Sequence, residues 1–400
     1  MFEHVPPYPG DPILSLNEEF QLDPRPNKVN LSIGIYFDDD GKLPVMGAVR
    51  EAESALIGAA APRPYLPMAG YAAYRDAAQA LVFGAASEPR ADGRIATVQT
   101  IGGSGALTVG ADFLRRYFPS AQVWISDPSW ENHRAIFEGA GFEVNTYPYY
   151  DEQTGGLRYQ EMVDALDRLP ARSIVLLHAC CHNPTGVDLS PAQWSELIPL
   201  LQRRELIAFV DMAYQGFGAG LDEDAACVRQ LASSGVPTIV ANSFSKNFSL
   251  YGERCGALSV VCASADEAGR VLGQLMSAIR ANYSNPPTHG ARLVAAVLGT
   301  APLRAAWEKE LAAMRERILA MRQAIHDGLA GRVDETMRAR YLAQCGMFTY
   351  TGLSVAQVER LRSEHAVYVL RSGRMCVAGL NARNVGYTAS SIADVVSASA

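Results

Sequence analysis

Apolar and polar positions follow two different periods along the middle of this chain, and the two periods predict alternating strands and helices. Short, nearly continuous apolar runs are each followed by a longer stretch in which apolar residues recur every three or four positions. The predicted strands are Ile95–Ile101, Val123–Ser126, Glu143–Tyr147, Ser173–His178, Ile207–Asp211, Pro237–Ala241 and Gly256–Val261. The predicted helices are Gly105–Tyr117, His133–Gly139, Tyr159–Arg168, Pro191–Arg204 and Asp224–Ser233. This alternation is typical of an α/β fold with a mostly parallel, helix-covered sheet.

The flanking segments predict different structure. The first ~45 residues are rich in proline and predict an irregular arm that packs on a larger body, such as a second subunit. Helical spacing then covers Val45–Phe83, with a break between Ala61 and Gly70, and it returns from Ser264 to Ala330. The rest predicts a smaller α+β domain, with strands near 347–350, 367–370 and 375–377, a helix over 355–364 and a terminal helix over 388–400.

Composition narrows the classes of function. Hydrophobic residues make up 48% of the 400 residues, which is enough for a large core. Charged residues make up 19%, below the usual quarter, which suggests that another chain covers part of the surface. A net charge of -7 without a basic run argues against nucleic-acid binding. The seven cysteines lack Cys-x-x-Cys spacing, and neither a signal peptide nor a membrane-spanning apolar stretch is recognisable, so we expect a cytoplasmic protein.

Lys246 is the residue with the strongest chemical implication. It lies between two apolar runs, Pro237–Ala241 and Cys255–Cys262, and so at the end of a predicted strand. Ser243, Ser245 and Arg254 surround it in the sequence. A lysine that is partly desolvated beside another cation has the lowered pKa that Schiff-base chemistry requires. A surface lysine in a loop is the alternative for any single lysine.

Two further strand ends carry residues suited to binding a charged ligand. Gly102-Gly103-Ser104 follows a strand and precedes a helix, where free backbone N–H groups favour a phosphate, although a plain tight turn has the same pattern. Asp211 closes an apolar strand, and a buried carboxylate there needs a cationic partner such as a protonated heteroaromatic nitrogen. A helix N-cap is the alternative for Asp211, and Tyr214 is close enough in sequence to reach the same ligand.

Four more residues are candidates because of their position. Asn183, in Asn183-Pro184, can project its amide into a cleft, and Trp130 can stack on a flat ring or pack in the core. Arg374 and Arg280 can each recognise a carboxylate in a bidentate manner, or form a surface ion pair. We expect no metal site, because Cys180-Cys181-His182 lacks tetrahedral ligand spacing.

The order of these features along one chain matches the needs of pyridoxal phosphate: an anion cradle, a ring stack, a partner for the ring nitrogen and a Schiff-base lysine. The chain resembles the class I aminotransferases of the aspartate and aromatic-amino-acid group from end to end. Within that group it is most similar to the bacterial aromatic-amino-acid (tyrosine) aminotransferases. The motifs that carry the resemblance are Tyr65-Leu-Pro-Met, Gly102-Gly-Ser-Gly-Ala-Leu, Asn183-Pro-Thr-Gly, Asp211-Met-Ala-Tyr, Ser243-Phe-Ser-Lys and Arg280-Ala-Asn-Tyr-Ser-Asn-Pro-Pro.

The resemblance implies roles for each candidate. Lys246 would form the Schiff base and shuttle the proton, Asp211 would pair with the ring nitrogen, and Tyr214 and Asn183 would contact the ring oxygen. The residues implied for the phosphate are Gly103, Ser104, Ser243, Ser245, Arg254 and, from the other subunit, Tyr65. Those implied for the substrate are Gly34, Trp130, Asn183, Arg374 and, from the other subunit, Arg280.

The resemblance also implies the overall organisation. We expect pyridoxal-phosphate fold type I, with residues 1–44 as an N-terminal arm and part of the small domain, 45–310 as the large cofactor-binding domain, and 311–400 as the small domain. A homodimer with shared active sites would transfer amino groups from L-tyrosine, L-phenylalanine and L-aspartate to 2-oxoglutarate. The closest alternative is an aspartate-specific aminotransferase. A pyridoxal-phosphate lyase, decarboxylase or cyclase fits less well, because Arg280 suits a dicarboxylate co-substrate.

Overall fold

The computed structural model describes residues 1–8, 10–60 and 62–398, and the chain divides into two compact units. The larger unit comprises Pro44–Asp151 and Gly156–Glu316. The smaller unit comprises Met1–Leu43, Glu152–Gly155 and the chain from Arg317 onward. None of the described helices is both long and apolar enough to cross a membrane.

A seven-stranded sheet forms the centre of the larger unit. Its strands are β2 (Ile95–Ile101), β3 (Val123–Asp127), β4 (Val144–Pro148), β5 (Ile174–His178), β6 (Ile207–Met212), β7 (Thr238–Ser243) and β8 (Cys255–Val261). They lie in the order β2-β8-β7-β6-β5-β3-β4. Only β8 runs against its neighbours, so the predicted α/β fold with a mostly parallel sheet is confirmed.

The central strands are rich in apolar residues because helices cover the sheet. Every residue of β6 is buried, as expected for a central strand of a parallel sheet. The helices of this unit are α2 (Gly47–Gly58), α3 (Ala72–Phe83), α4 (Glu88–Ala91), α5 (Gly102–Tyr117), α6 (Glu131–Gly139), α7 (Tyr159–Leu166), α8 (Pro191–Arg203), α9 (Ala226–Ser234), α10 (Ala265–Asn282), α11 (His289–Gly299) and the first part of α12 (Ala301–Gly328). Helices α5, α6 and α10 contribute Leu107, Phe137 and Leu275 to one core with the strand residues Phe209 and Leu258.

The smaller unit is α+β, as predicted. Strands β1 (Val29–Asn30) and β10 (Val367–Tyr368) pair in parallel, and β9 (Phe348–Tyr350) and β11 (Arg374–Cys376) pair antiparallel. Its helices are α1 (Pro12–Leu22), the second part of α12, α13 (Glu335–Ala343), α14 (Val355–His365) and α15 (Val385–Ser397). The predicted terminal helix over 388–400 begins three residues earlier, and its last two residues lie outside the described part of the chain.

Two predictions about local structure are wrong. The first 45 residues are not irregular throughout, because Asp11 caps α1 and accepts hydrogen bonds from the N–H groups of Ile13 and Leu14 at 2.9 Å. Pro12 occupies the first helical position, where its missing N–H costs nothing. Helix α5 begins at Gly102 instead of Gly105, so the glycine-rich segment is the first turn of the helix.

Candidate active site

Most of the candidate residues lie at one edge of the large sheet. In the register of the strands, His178 is opposite Asp211, Asp211 is opposite Ala241, and Ser243 is opposite Gly256. The carboxyl ends of β5, β6 and β7 therefore meet at this edge, together with the end of β2 that leads into α5. Ligands of open α/β sheets bind at such an edge.

Lys246 lies in the loop after β7 and is half-buried. Its Nζ stands 5.0 Å from the centre of the Tyr214 ring, within the range of a cation–π interaction. Tyr214 is buried, and the Asn183 side-chain amide donates to its hydroxyl at 3.5 Å. Three residues chosen from separate stretches of sequence are thus brought together, with a primary amine that is neither fully exposed nor fully enclosed.

Asp211 is a buried carboxylate with a dedicated partner. His133 Nε2 lies 2.9 Å from Asp211 Oδ2, and His133 Nδ1 lies 2.9 Å from the Ser129 hydroxyl. Burial raises the pKa of Asp211, but the hydrogen bond to His133 and nearby positive groups, including Lys246, outweigh burial and hold that pKa below its ordinary value. Asp211 therefore carries a negative charge, and the hydrogen of this bond is on His133 Nε2. Asp211 lies within strand β6, so the alternative that Asp211 is the N-cap of a helix is wrong.

Two more histidines, His178 and His182, lie next to His133 in a row of ring contacts. The His178 ring lies 5.2 Å from the His133 ring and 4.2 Å from the His182 ring. Burial lowers the pKa of His178 to about 3, and it also lowers the pKa of His182 well below its usual range. His182 bonds to Ser126 at 2.9 Å and stacks on Tyr149 at 4.1 Å. Both rings are therefore neutral, so they do not compete with Lys246 for the charge of Asp211.

Hydroxyl, guanidinium and glycine groups form a second cluster beside Lys246. The Ser243 hydroxyl donates to the Ser245 hydroxyl at 3.1 Å, and Arg254 Nη1 lies 3.5 Å from the same Ser245 oxygen. The N–H of Gly102 donates to the Arg254 carbonyl at 2.9 Å. The half-buried Gly103 and Ser104 follow in the first turn of α5, where N–H groups have no partner within the helix.

The packing of the glycines shows that this cluster has no room for side chains. A Cβ on Gly102 would lie 2.4 Å from Arg254 Nη2, and one on Gly103 would lie 3.2 Å from Ser243 Cβ. A Cβ on Gly256 would lie 2.4 Å from the carbonyl carbon of Gly102. Close backbone approach, a helix N-terminus, two hydroxyls and a guanidinium together suit a phosphate group. These residues fit the phosphate of the cofactor that the sequence implies.

Trp130 packs in the core, one of the two alternatives that the sequence left open, and its stacking on a flat ring remains a prediction. It immediately precedes α6 and packs against the core on one side of the sheet, yet it stays half-buried. Its ring meets the His133 ring edge to face, with 5.2 Å between centres. Trp130 therefore buttresses the histidine that holds Asp211.

Arg374 and Gly34 belong to the smaller unit, where one phenylalanine links them. Arg374 is only 1% exposed, and its guanidinium lies over the Phe348 ring at 4.5 Å. Its Nη2 donates to the Ser32 carbonyl at 2.8 Å. A Cβ on Gly34 would lie 2.8 Å from the far edge of the Phe348 ring. A buried cation fixed in this way is a preorganised site for a carboxylate.

Tyr65 and Arg280 are located differently from the other candidates. Tyr65 is 90% exposed, in the segment between α2 and α3. Arg280 is exposed in the last turn of α10 and donates to the Ser284 hydroxyl. Both side chains are exposed at the surface of this chain, and their roles in a partner subunit's site remain predictions.

One group of metal-ligating atoms coincides with the site. Ligand atoms of His133, His178 and Asp211 lie within 4.8 Å of one another. The 2.9 Å separation between His133 and Asp211 is a hydrogen-bond distance, whereas two ligands of one zinc ion lie roughly 3.3 Å apart. The geometry is that of a hydrogen-bonded pair.

The sequence analysis did not select His133, Phe348 or Gly256. His133 lies three residues after Trp130, and a histidine at the start of a helix after a strand is a detectable signal for a partner of Asp211. Gly256 opens an apolar strand, where a glycine indicates close approach of another backbone. Phe348 has no comparable signal, because an aromatic residue in a short strand is most simply read as core.

Comparison with known proteins shows the family of the chain. Residues 26–392 match the family Aminotransferase class I and II. The tyrosine aminotransferase of Klebsiella pneumoniae is 57% identical over 400 residues, covering 99% of this chain and 100% of the relative. An aromatic amino acid aminotransferase structure from Burkholderia cenocepacia has a TM-score of 0.97 and 69% identity, covering 100% of this chain and 99% of that one.

A second solved structure bears on the cofactor. The aromatic-amino-acid aminotransferase from Burkholderia pseudomallei, described as covalently bound to pyridoxal phosphate, has a TM-score of 0.96 and 53% identity, with 99% of both chains covered. The family match spans most of this chain, and the relatives match it along nearly their whole length. The chain belongs to the class I and II aminotransferases.

Proposed function

We propose that this chain is an aromatic-amino-acid aminotransferase. It transfers the amino group of L-tyrosine or L-phenylalanine, and also of L-aspartate, to 2-oxoglutarate by means of pyridoxal 5′-phosphate. The observation that carries the proposal is the placement of Lys246 beside Tyr214, at the sheet edge that also holds Asp211. The names of the relatives support the aromatic preference.

Each residue of the larger unit has a distinct task. When bound, pyridoxal phosphate supplies a protonated ring that accepts the electron pair left when the amino acid loses its α-proton. Asp211, held ionised by His133, would keep the proton on the ring nitrogen. Lys246 would hold the cofactor covalently and, as a free amine, would move the α-proton of the substrate. Tyr214 and Asn183 would bind the ring oxygen, and Trp130 would stack on the ring.

The remaining candidates bind anions. Gly103, Ser104, Ser243, Ser245 and Arg254 hold the phosphate, because the cluster offers N–H, hydroxyl and guanidinium donors with no obstructing side chain. Arg374 binds the α-carboxylate of the substrate next to the Gly34 loop. The order of events, in which the first product leaves before the second substrate binds, makes the kinetics ping-pong.

The organisation expected from sequence completes the proposal. Residues 45–310 form the cofactor-binding domain, and 1–44 and 311–400 form the arm and the small domain. The protein is a cytoplasmic homodimer in which Tyr65 reaches the phosphate and Arg280 the distal carboxylate of the partner's site. The exposure of both side chains supports this arrangement.

A half-reaction experiment tests the substrate. The cofactor-loaded protein is mixed separately with L-tyrosine, L-phenylalanine and L-aspartate in a stopped-flow instrument, and the absorbance of the lysine-bound cofactor is followed. We expect conversion with the aromatic amino acids at rates equal to or above that with aspartate. Conversion with aspartate alone would assign the protein to the aspartate-specific alternative, and no conversion with any of them would refute the transaminase.

A further inference from the structure

The residues that follow Lys246 and Tyr214 are joined by a buried hydrogen bond. The side-chain amide of Asn247 donates from Nδ2 to the backbone carbonyl of Gln215 at 3.2 Å. Asn247 is 1% exposed and Gln215 is 2% exposed. Because these residues are the immediate neighbours of Lys246 and Tyr214, the bond couples the two loops at the point where the site residues emerge.

The same asparagine is also fixed through its backbone. Trp307, a fully buried residue of α12, donates from its indole Nε1 to the Asn247 carbonyl at 2.7 Å. Its ring stacks on Phe248 with 4.7 Å between centres, and Phe248 meets Phe244 edge to face at 5.4 Å. The backbone on both sides of Lys246 is therefore anchored in the core, while the lysine itself stays half-buried.

Gln215 is also fixed by hydrogen bonds. Its side-chain amide donates to the carbonyls of Leu221 at 2.9 Å and Leu81 at 3.2 Å. The next residue, Gly216, receives a hydrogen bond on its carbonyl from Arg315 at 3.0 Å, and its N–H donates to Asp224 at 2.8 Å. The Asn247–Gln215 bond thus joins two loops that are each tied to the core by further hydrogen bonds, and it restrains the distance between them.

We propose that Asn247 is a positioning residue, which fixes the distance between Lys246 Nζ and the Tyr214 ring and thereby the rate at which Lys246 moves the α-proton. The inference rests on the proposed function. A lysine that serves first as an attachment point and then as a proton carrier must reach two positions from one backbone location. Rates of such transfers fall steeply when the groups are displaced, by about 100-fold for a 1 Å error.

Asn247→Leu tests this directly, because leucine is close in size and lacks the amide donor. We expect the half-reaction with L-tyrosine to slow by about 10-fold or more, with an apparent affinity for tyrosine within about threefold of wild type. The pH midpoint of the absorbance change of the lysine-bound cofactor should shift by about half a unit or more, because the surroundings of Lys246 change.

Two further variants separate positioning from folding. Trp307→Phe keeps a ring on Phe248 but removes the Nε1 donor. It should therefore change the half-reaction rate and the pH midpoint in the same direction, by smaller amounts. If Asn247→Leu does not fold, Trp307→Phe serves as the test. Thr97→Val is the control, since it removes a buried side-chain hydrogen bond to Ser259 at 2.8 Å, five residues before the glycine-rich turn. It should lower the melting temperature and leave the rate and the pH midpoint unchanged.

The outcomes distinguish the inference from the proposed function. If Asn247→Leu, or Trp307→Phe in its place, lowers the melting temperature as Thr97→Val does but keeps the wild-type rate and pH midpoint, Asn247 is merely structural and the inference fails. If the wild-type protein converts none of the amino acids, the proposed function fails. In that case the pH midpoint of the absorbance change of the lysine-bound cofactor decides about Asn247. A shifted midpoint in Asn247→Leu supports the inference, and an unchanged midpoint overturns it.

Discussion

Gly256 lies between the glycine-rich first turn of α5 and the strand that ends at Ser243, which are both part of the proposed phosphate site. Gly256→Ala therefore tests that site. In the sheet it is opposite Ser243 on one side and Thr100 on the other. The added Cβ would lie 2.4 Å from the carbonyl carbon and 2.5 Å from the carbonyl oxygen of Gly102. All of these contacts are with backbone, so no side-chain rotation can relieve them.

The size of the effect follows from these distances. Ordinary contacts of a Cβ are 3.4 Å or longer, so Gly102 and the first turn of α5 must move by about 1 Å. Overpacking of this kind costs about 1–3 kcal/mol of folding stability. Because the N–H groups of the first turn move away from Ser243 and Arg254, we expect the affinity for pyridoxal phosphate to fall by about 10- to 100-fold, or 1.4–2.8 kcal/mol.

The assay is a titration of the apoprotein with pyridoxal phosphate, followed by absorbance, together with a thermal melt without cofactor. Gly269→Ala is the matched control, because its Cβ would enter open space on α10 and should stabilise the helix by up to about 1 kcal/mol. If Gly256→Ala binds the cofactor with wild-type affinity, the glycine-rich turn does not hold the phosphate.

Three further predictions concern the groups around the site. Asp211→Asn keeps a hydrogen bond to His133 but removes the charge, so turnover should fall by about 100-fold or more while the protein remains folded by circular dichroism; near-normal turnover would contradict the role of the carboxylate. The pKa of His178 is about 3 in the folded protein and 6.5 when unperturbed, so its contribution to stability is complete above pH 6.5 and is lost as the pH falls toward 3. Urea unfolding should show this acid-side loss, at most about 1.4 kcal/mol per pH unit, and His178→Gln should reduce it; an unchanged slope would show that His178 is protonated in the fold. Phe348→Leu removes the ring beneath Arg374, so the KM for the amino acid should rise by about 3- to 10-fold with kcat nearly unchanged, whereas a fall in kcat alone would argue against a role in substrate binding.

The sequence was sufficient to predict the sheet because most of its strands are short runs that are rich in apolar residues. Strand β2 was predicted with its observed bounds, and β8 differs by one residue. Helix α1 was missed because prolines dominate its surroundings, although Asp11-Pro12 is a cap followed by a proline at the first helical position. Local signals of this kind are overlooked when the composition of a whole segment is judged at once.

The site could be predicted where a charged residue stands next to or inside an apolar strand, because few structural roles explain such a residue. A lysine between two strands and an acid inside an apolar strand both require partners, and the structure brings Lys246 and Asp211 to the same sheet edge. His133 left a detectable signal near the start of a helix that was not used, whereas the contact of Asn247 joins residues that are distant in sequence and could not be predicted. The roles of Tyr65 and Arg280 depend on a second chain and remain predictions.

Reduction with borohydride shows whether Lys246 carries the cofactor. The cofactor-loaded protein is treated with sodium borohydride, digested, and analysed by mass spectrometry for a phosphopyridoxyl group on each lysine. The other lysines of the chain are Lys28, Lys42 and Lys309, which serve as internal controls. We expect the group on the peptide that contains Lys246 and its loss in Lys246→Ala. A group on one of the other lysines, or on none, would contradict the account.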